Sequence, residues 1–332
     1  MDHYLITGGT GFIGSHLAED LAARGERVRV LGLTGLPEER RNAARLQARG
    51  VEVLSASVTD EAALATAMEG VSHVHHLAVA MREGGVSDRF FERINLDGTR
   101  ALLEAALENE VRRFVFCSTI GIYGHRAPGI TREDSPFAPG NAYERSKLAA
   151  EALVLDCAAK RGLPAVILRL ADVYGPRDMR LLKLFREVAR GRFPLFGDGL
   201  GRRHMVYVDD VVAAFRRAVE CDAALGRALI VAGPEVCTLR ELVARVAAAT
   251  GQPRFGWRLP LAPMLALAAL VEDLCRALRI APPIYRRRMD FFVSDAAFDT
   301  SRARELLGLE PRVSLAEGLR RTLEAYREDG LL

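Results

Sequence analysis

The sequence predicts an α/β fold built on a doubly wound parallel sheet. Short apolar runs alternate with segments of helical periodicity along the first half of the chain. The apolar runs lack polar alternation, which is typical of strands covered on both faces. This alternation predicts βαβ units with right-handed crossovers. The strand candidates are His3 to Thr7, Val28 to Leu31, Val51 to Leu54, His73 to Leu77, Phe114 to Cys117 and Val166 to Leu170, and Ile94 to Asn109 shows a helical pattern.

The later part of the chain has a different rhythm. Gly and Pro become frequent from Arg192 to Gly201, and helical patterns dominate from Leu239 onward. We expect residues 1–175 to form the doubly wound domain that carries the catalytic residues. Residues 176–332 are expected to form a smaller, mostly helical substrate-binding lobe, with room for some segments to return to the sheet.

Composition narrows the function class. The 46 Lys and Arg residues nearly balance the 43 Asp and Glu residues, so we expect no nucleic-acid partner. The five cysteines form no Cys-x-x-Cys pair, which suits a reducing cytoplasm. The chain runs at once into its first strand, so no secretion signal is expected. His75 and His76 are expected to pack rather than bind metal, since no third ligand has useful spacing.

A Gly-rich turn follows the first strand candidate and opens the first helix, as Gly8-Gly9-Thr10-Gly11-Phe12-Ile13-Gly14. Glycines there allow a tight turn and close approach to a pyrophosphate, while the helix N-terminus favours the anion. This predicts a Rossmann-like domain that binds NAD(P). The expected cofactor contacts in this turn are Gly8, Thr10, Gly11, Phe12, Ile13 and Gly14.

The nicotinamide cofactor can be NAD or NADP. An acidic residue at the end of the second strand would hold the adenosine ribose of NAD, but Leu31 leads into Gly32 instead. The missing carboxylate favours NADP, with Thr34, Arg40 or Arg41 near a 2′-phosphate. The alternative is that both arginines are simply the solvated face of a helix.

Tyr143 and Lys147 form the candidate catalytic pair. Their four-residue spacing at the start of a helical segment puts the phenol and the ammonium on one helix face. A nearby cation favours the phenolate, so Tyr143 could act as acid and base. Thr119, at the carboxyl end of a strand, offers a hydroxyl to orient a substrate oxygen, although such residues are also common turn caps.

Together these motifs resemble the extended short-chain dehydrogenase/reductase family, which includes nucleotide-sugar epimerases, dehydratases and 3β-hydroxysteroid dehydrogenases. The resemblance implies an active-site hydroxyl at Thr119 with Ser118 beside it, and a homodimer. It also implies that Val58 touches adenine, that Leu77, Ala78 and Val173 line the cofactor, and that Asn95 supports the central sheet. The further motifs are His76-Leu77-Ala78, Asn95-Leu96-Asp97-Gly98-Thr99, Val173-Tyr174-Gly175-Pro176, Tyr207-Val208-Asp209-Asp210 and Leu307-Gly308-Leu309-Glu310-Pro311.

The substrate signals point in two directions. Gly197-Asp198-Gly199 followed by Arg203 is similar to the sugar-nucleotide members, where the arginine grips a diphosphate. Asp172, however, stands where those members carry Asn, and its charge would oppose a diphosphate. Tyr123, Asp172 and Arg203 are the candidate substrate-binding residues.

An apolar segment from Leu259 to Val271 instead resembles the 3β-hydroxysteroid dehydrogenase branch and could line a lipophilic pocket. It could equally be a core or dimer-facing helix. Contact with a membrane surface, helped by Arg286 to Arg288, is a lesser alternative.

Three hypotheses follow for the function. The first is a dehydrogenase or ketoreductase that acts on a secondary alcohol or ketone of a bulky, lipophilic small molecule. The second is a nucleotide-sugar epimerase or dehydratase that oxidises its substrate transiently. The third, which the presence of Thr119, Tyr143 and Lys147 disfavours, is a non-catalytic dinucleotide sensor.

Overall fold

The computed structural model describes residues 2–80, 87–124, 129–252, 257–278, 280 and 286–332. Most strands are runs of buried residues, and the helices between them have apolar residues at helical spacing. The strands are β1 (His3–Thr7), β2 (Arg27–Gly32), β3 (Glu52–Ser55), β4 (His73–His76), β5 (Arg113–Thr119), β6 (Ala165–Leu170), β7 (Asp172–Tyr174), β8 (Leu195–Phe196), β9 (Arg202–Arg203), β10 (Met205–Tyr207), β11 (Ala228–Val231), β12 (Cys237–Thr238) and β13 (Arg258–Leu259).

Thirteen α-helices connect these strands in the described part of the chain. Two 3₁₀ turns (Ile120–Tyr123 and Asp222–Ala224) and a π-helical turn (Glu92–Asp97) complete the elements. The α-helices are α1 (Phe12–Ala23), α2 (Pro37–Gln47), α3 (Glu61–Met68), α4 (Asp88–Phe91), α5 (Gly98–Glu108), α6 (Ala142–Arg161), α7 (Met179–Ala189), α8 (Val208–Glu220), α9 (Leu239–Thr250), α10 (Leu261–Ala277), α11 (Arg286–Val293), α12 (Ser301–Leu307) and α13 (Leu315–Glu328).

The central sheet has seven parallel strands in the order β11-β6-β5-β4-β1-β2-β3. The chain moves outward from β1 to β3 and then returns to β4 on the other side of β1. The predicted doubly wound α/β fold is therefore confirmed. The strand order reverses between β1 and β4, and ligands of such sheets bind in the crevice at the carboxyl ends of these strands.

Helices cover both faces of the sheet. Leu5 on β1 belongs to one apolar cluster, with Leu102 of α5, whereas the next residue, Ile6, belongs to the other, with Leu17 of α1. This alternation is what a strand buried on both faces requires. The sheet is therefore packed against an apolar layer on each face.

Two details refine the sequence-based expectations. A late segment does return to the sheet, since β11 pairs in parallel with β6 at its edge. The helical pattern from Ile94 to Asn109 divides into the π-helical turn and α5. In that turn the side chain of Asn95 is buried and hydrogen-bonded, and such π-helical turns frequently mark functional sites.

The apolar late segment forms α10, which leaves several leucines exposed. Leu267, Leu270 and Leu274 are 43%, 65% and 58% exposed. In the described part of the chain, no helix is both long and apolar enough to cross a bilayer. The side chains of Arg286 to Arg288 lie outside the described residues.

Candidate active site

The Gly-rich turn lies between the carboxyl ends of β1 and β4. The N–H of Gly8 donates to the carbonyl of Leu31 at 2.7 Å, and the φ angle of Gly8 is +69°. A Cβ atom on Gly8 would lie 2.7 Å from the Ala78 nitrogen, and one on Gly14 would lie 2.5 Å from the Gly8 oxygen. Both positions therefore require glycine, for the turn itself and for its contact with the segment after β4.

The N-terminus of α1 points out of this turn. Gly11 caps the helix without a side-chain hydrogen bond, and the first turn contains no acidic residue. The first N–H groups of the helix, at Phe12 and Ile13, are therefore available to an anion. This arrangement fits the pyrophosphate of a dinucleotide.

The adenosine end of the crevice is crowded around Gly32. A Cβ atom on Gly32 would lie 2.5 Å from Thr10 Oγ1. The close packing therefore disfavours the acidic side chain that the sequence lacks at this position. The hydroxyls of Thr34 and Ser55 are 2.6 Å apart, and Arg40 donates to the Thr34 carbonyl at 3.2 Å. These side chains could hold a ribose or its phosphate.

Two further predicted cofactor contacts are buried side chains behind this surface. Val58 packs against the start of α5, since a Cβ atom on Gly98 would lie 2.6 Å from its Cγ1 atom. Val173 is buried in β7. Their roles toward adenine and nicotinamide remain predictions.

The first two turns of α6 carry Tyr143 and Lys147. Asn141 caps the helix by accepting from the Glu144 N–H at 3.1 Å. Lys147 Nζ lies 4.0 Å from the centre of the Phe116 ring on β5. Burial lowers the pKa of Lys147 to about 8, against smaller opposing effects of Cys117 and Glu151. The ammonium is therefore held at the sheet, one helical turn from Tyr143.

Thr119 ends β5 beside this helix. Its Oγ1 accepts from the Gly121 N–H at 3.0 Å and caps the following 3₁₀ turn. That turn lies against the first turn of α6, since a Cβ atom on Gly121 would lie 3.2 Å from Glu144 Cγ. Thr119 thus acts as the turn cap, and its own hydroxyl proton can still be donated.

Ser118 and Tyr123 point away from the crevice, contrary to what their candidate roles would require. The hydroxyl of Ser118 donates to Glu151 at 2.7 Å, on the opposite face of the strand from Thr119. The hydroxyl of Tyr123 donates to the Glu133 carbonyl at 3.2 Å, and its side chain is 2% exposed. A buried ion pair between Arg169 and Glu151, invisible in the sequence, holds both hydroxyls.

Arg203, on β9, also uses its side chain for contacts within the protein. Its guanidinium donates to the carbonyls of Arg202 at 2.7 Å, and of Phe291 and Ser294 near the end of α11. Burial lowers the pKa of Arg203, and the charge of Asp172 raises it by a smaller amount. Asp172 itself is exposed on β7. The two predicted substrate residues are therefore neighbours, but the arginine holds backbone.

Arg180, at the start of α7, is a cation of the crevice that the sequence reasoning missed. Its Nε atom donates to Asp178 at 2.9 Å and its Nη2 atom to the Val173 carbonyl at 2.5 Å, while its side chain is 54% exposed. Desolvation by the surrounding protein atoms lowers the pKa of the half-exposed Arg180, but Asp178, and then Asp172 and Tyr143, raise it by more. Arg180 lies four residues after the Val173-Tyr174-Gly175-Pro176 motif, but this position in the sequence does not by itself predict a place in the crevice.

The arrangement supports proton transfer at a carbinol oxygen. A phenol and a buried ammonium share one helix face, and a hydroxyl lies on the adjoining turn. A nicotinamide dinucleotide supplies or accepts hydride when bound in such a crevice.

A family model for the NAD dependent epimerase/dehydratase family matches residues 4–232. The chain belongs to this family. The expected membership of the extended short-chain dehydrogenase/reductases is confirmed, and the protein is an NAD(P)-dependent enzyme of that type.

Similar family members act on different substrates. Sterol demethylase protein B of Methylococcus capsulatus is 32% identical over 338 residues, covering 99% of both chains. The 2-alkyl-3-oxoalkanoate reductase of Stenotrophomonas maltophilia is 31% identical, covering 96% of this chain and 97% of the reductase. The dTDP-glucose 4,6-dehydratase DesIV of Streptomyces venezuelae, solved with NAD and TYD bound, has a TM-score of 0.81 and 26% identity, covering 98% of this chain and 97% of DesIV.

Proposed function

We propose that this family member is an NAD(P)-dependent dehydrogenase or ketoreductase for a secondary alcohol or ketone in a bulky, lipophilic substrate. Tyr143 exchanges the proton with the substrate oxygen. Lys147 stabilises the phenolate and holds the nicotinamide ribose, and Thr119 orients the same oxygen. Two relatives named for sterol demethylation and 3-oxoalkanoate reduction support a substrate of this class.

The observation that carries the proposal is the set of hydrogen bonds made by the guanidinium of Arg203. The sugar-nucleotide hypothesis needs this guanidinium for a diphosphate, but it donates to three backbone carbonyls, of Arg202, Phe291 and Ser294. Releasing it would break all three of these hydrogen bonds, although the residues that supply the carbonyls are partly or fully exposed and could turn to water. The neighbouring charge of Asp172 would further oppose a diphosphate.

The test uses the wild-type enzyme. Calorimetric titration of UDP and dTDP in the presence of NAD(P) should give dissociation constants above about 1 mM. A panel of 3-oxoalkanoates, 3-hydroxysterols, UDP-glucose and dTDP-glucose should change nicotinamide absorbance with the first two classes. Conversion of a sugar nucleotide without net cofactor turnover would contradict the proposal.

The second candidate is a nucleotide-sugar epimerase or dehydratase. It is supported by the likeness to DesIV and by the loop at Gly197 to Gly199, where Asp198 accepts from the Leu200 N–H at 2.9 Å. In this case Arg203 must turn from the α11 carbonyls to the diphosphate. The variant Arg203→Ala would then lose affinity for the sugar nucleotide, and unchanged affinity would count against this candidate.

We also propose that the cofactor is NADP. Gly32 presents no carboxylate to repel a 2′-phosphate, and Arg40 lies at the Thr34 carbonyl. Arg41 is the matched control, because its guanidinium lies 3.7 Å from Glu38. Arg40→Ala should weaken NADPH binding and spare NADH, as measured by cofactor fluorescence, whereas Arg41→Ala should affect neither. Equal NADH and NADPH affinity in the wild type would contradict it.

A further inference from the structure

A row of buried polar side chains crosses the protein beneath the crevice. Thr7 ends β1, His76 ends β4, and Asn95 and Thr99 lie in the π-helical turn and α5. All four are at most 2% exposed. Polar groups buried to this extent need hydrogen-bond partners, and each of these has them.

The hydrogen positions around His76 follow from the partners. Thr99 Oγ1 donates to the Asn95 carbonyl at 2.6 Å, so its single proton is used and it must accept from His76 Nε2 at 2.8 Å. His76 Nδ1, 2.7 Å from Thr7 Oγ1, then accepts the Thr7 proton. Burial, and next the charge of Lys147, lower the pKa of His76 to about 3, which agrees with a neutral ring.

The row reaches both halves of the candidate active site. At one end Thr7 Oγ1 accepts from the Ala78 N–H at 3.2 Å, and Ala78 is the residue that a side chain on Gly8 would strike. At the other end Asn95 Nδ2 donates to Ser146 Oγ at 2.9 Å. Ser146 Oγ in turn donates to the Tyr143 carbonyl at 2.8 Å.

We propose that this network positions Tyr143 relative to the Gly-rich turn, with Thr99 as its central positioning residue. A fully satisfied buried network is rigid because every member has one arrangement. Hydride and proton transfer depend steeply on geometry, and a displacement of about 1 Å can cost on the order of 100-fold in rate. The inference rests on the proposed hydride chemistry at Tyr143.

The chain offers a matched control in Thr322 of α13. Thr322 and Thr99 are both 0% exposed, and each donates to the carbonyl four residues earlier, at 2.7 Å and 2.6 Å. Thr99 alone of the two also accepts from His76. Replacing each by Val removes the same hydroxyl and keeps the shape, so only the Thr99 variant breaks the network.

The experiment compares kcat, KM and melting temperature. Thr99→Val should lower kcat by about 10-fold or more while the KM for the dinucleotide stays within about threefold, and Thr99→Ser should restore kcat. Thr322→Val should keep the wild-type kcat, although its melting temperature should fall by about as much as that of Thr99→Val. Equal kcat for the two Val variants would overturn the proposal.

A second measurement needs no substrate. Phenolate absorbance, taken as the difference between wild type and Tyr143→Phe, reports the ionisation of Tyr143 beside Lys147. Thr99→Val should shift this titration and Thr322→Val should not, and an unshifted titration would overturn the positioning role. Failure of the proposed function would appear separately, as wild-type inactivity on the substrate panel.

Discussion

At the scale of single residues, burial controls the chemistry of Lys147. Its side chain is 4% exposed and lies over an aromatic ring, and burial lowers its pKa from 10.5 to about 8. The unfolded chain therefore binds the proton more tightly than the folded protein between these two pH values. The resulting cost to folding is complete below pH 8 and is relieved as the pH rises toward 10.5.

We predict that Lys147→Met abolishes turnover but raises the free energy of unfolding near neutral pH by up to about 3 kcal/mol. Its advantage over the wild type should shrink at more alkaline pH. Lys160→Met, on the exposed face of the same helix, is the control and should leave turnover and stability unchanged. Urea unfolding at several pH values measures both effects, and a less stable Lys147→Met variant would contradict the prediction.

Residue-scale contacts were the least predictable from the sequence. The pattern singled out Tyr143, Lys147 and Thr119 as candidates because their spacing and strand-end position are themselves sequence features. Arg203 and Tyr123 were given substrate roles, but the guanidinium of Arg203 binds carbonyls that include those of Phe291 and Ser294, and the hydroxyl of Tyr123 binds Glu133 and Arg169. Glu133 lies 10 residues from Tyr123, and Phe291 lies 88 residues from Arg203, so no local sequence pattern reports these contacts.

At the scale of elements, the β1–turn–α1 unit makes a prediction about its glycines. Gly8 and Gly50 both have positive φ angles, +69° and +78°, but a Cβ atom would strike Ala78 at the first and meet nothing within 4 Å at the second. The positive φ angle alone should cost each alanine variant about 1–2 kcal/mol of stability, and the clash with Ala78 should add to this cost for Gly8→Ala. Gly8→Ala alone should lose dinucleotide binding, by about 100-fold or more.

Cofactor fluorescence titration and urea unfolding of the two alanine variants test this. Similar dinucleotide affinities for Gly8→Ala and Gly50→Ala would show that close approach at Gly8 is unimportant.

The elements themselves were largely predictable. Six predicted strands occur within a few residues of their expected bounds, and most of them are buried runs; β3, at the edge of the sheet, is only partly buried. β11 was not singled out, since its four residues resemble any short apolar segment. The π-helical turn was hidden because one extra residue in a helix barely alters the apolar spacing. In this turn Asn95 bonds to Ala80 and Ser146, which are distant in the sequence.

At the scale of the whole molecule, burial lowers the pKa of every histidine in the described ranges. The pKa falls to about 4 for His16 and to about 3 for His75 and His76, with burial the largest cause in each case. His75 is extreme, since neither ring nitrogen has a hydrogen-bond partner among the described residues. The fold thus favours the neutral form of the described imidazoles.

Acid should therefore destabilise the protein well before most carboxylates are protonated. Between their ordinary pKa of 6.5 and the lowered values, the unfolded chain binds more protons, so stability falls as the pH falls. Each strongly shifted histidine should contribute up to about 3 kcal/mol by about pH 4. His75→Leu should reduce the slope of unfolding free energy against pH in this window, and an unchanged slope would contradict the assignment.

The bare N-terminus of α1 links the cofactor to the mechanics of the fold. With no side chain capping its first turn, the pyrophosphate of a bound dinucleotide would complete the helix that contributes Leu17 to the core. Amide protons at the start of α1 should then exchange slowly with solvent when NAD(P) is bound and quickly when it is not. Cofactor occupancy would thereby determine how long the protein survives heat or proteases.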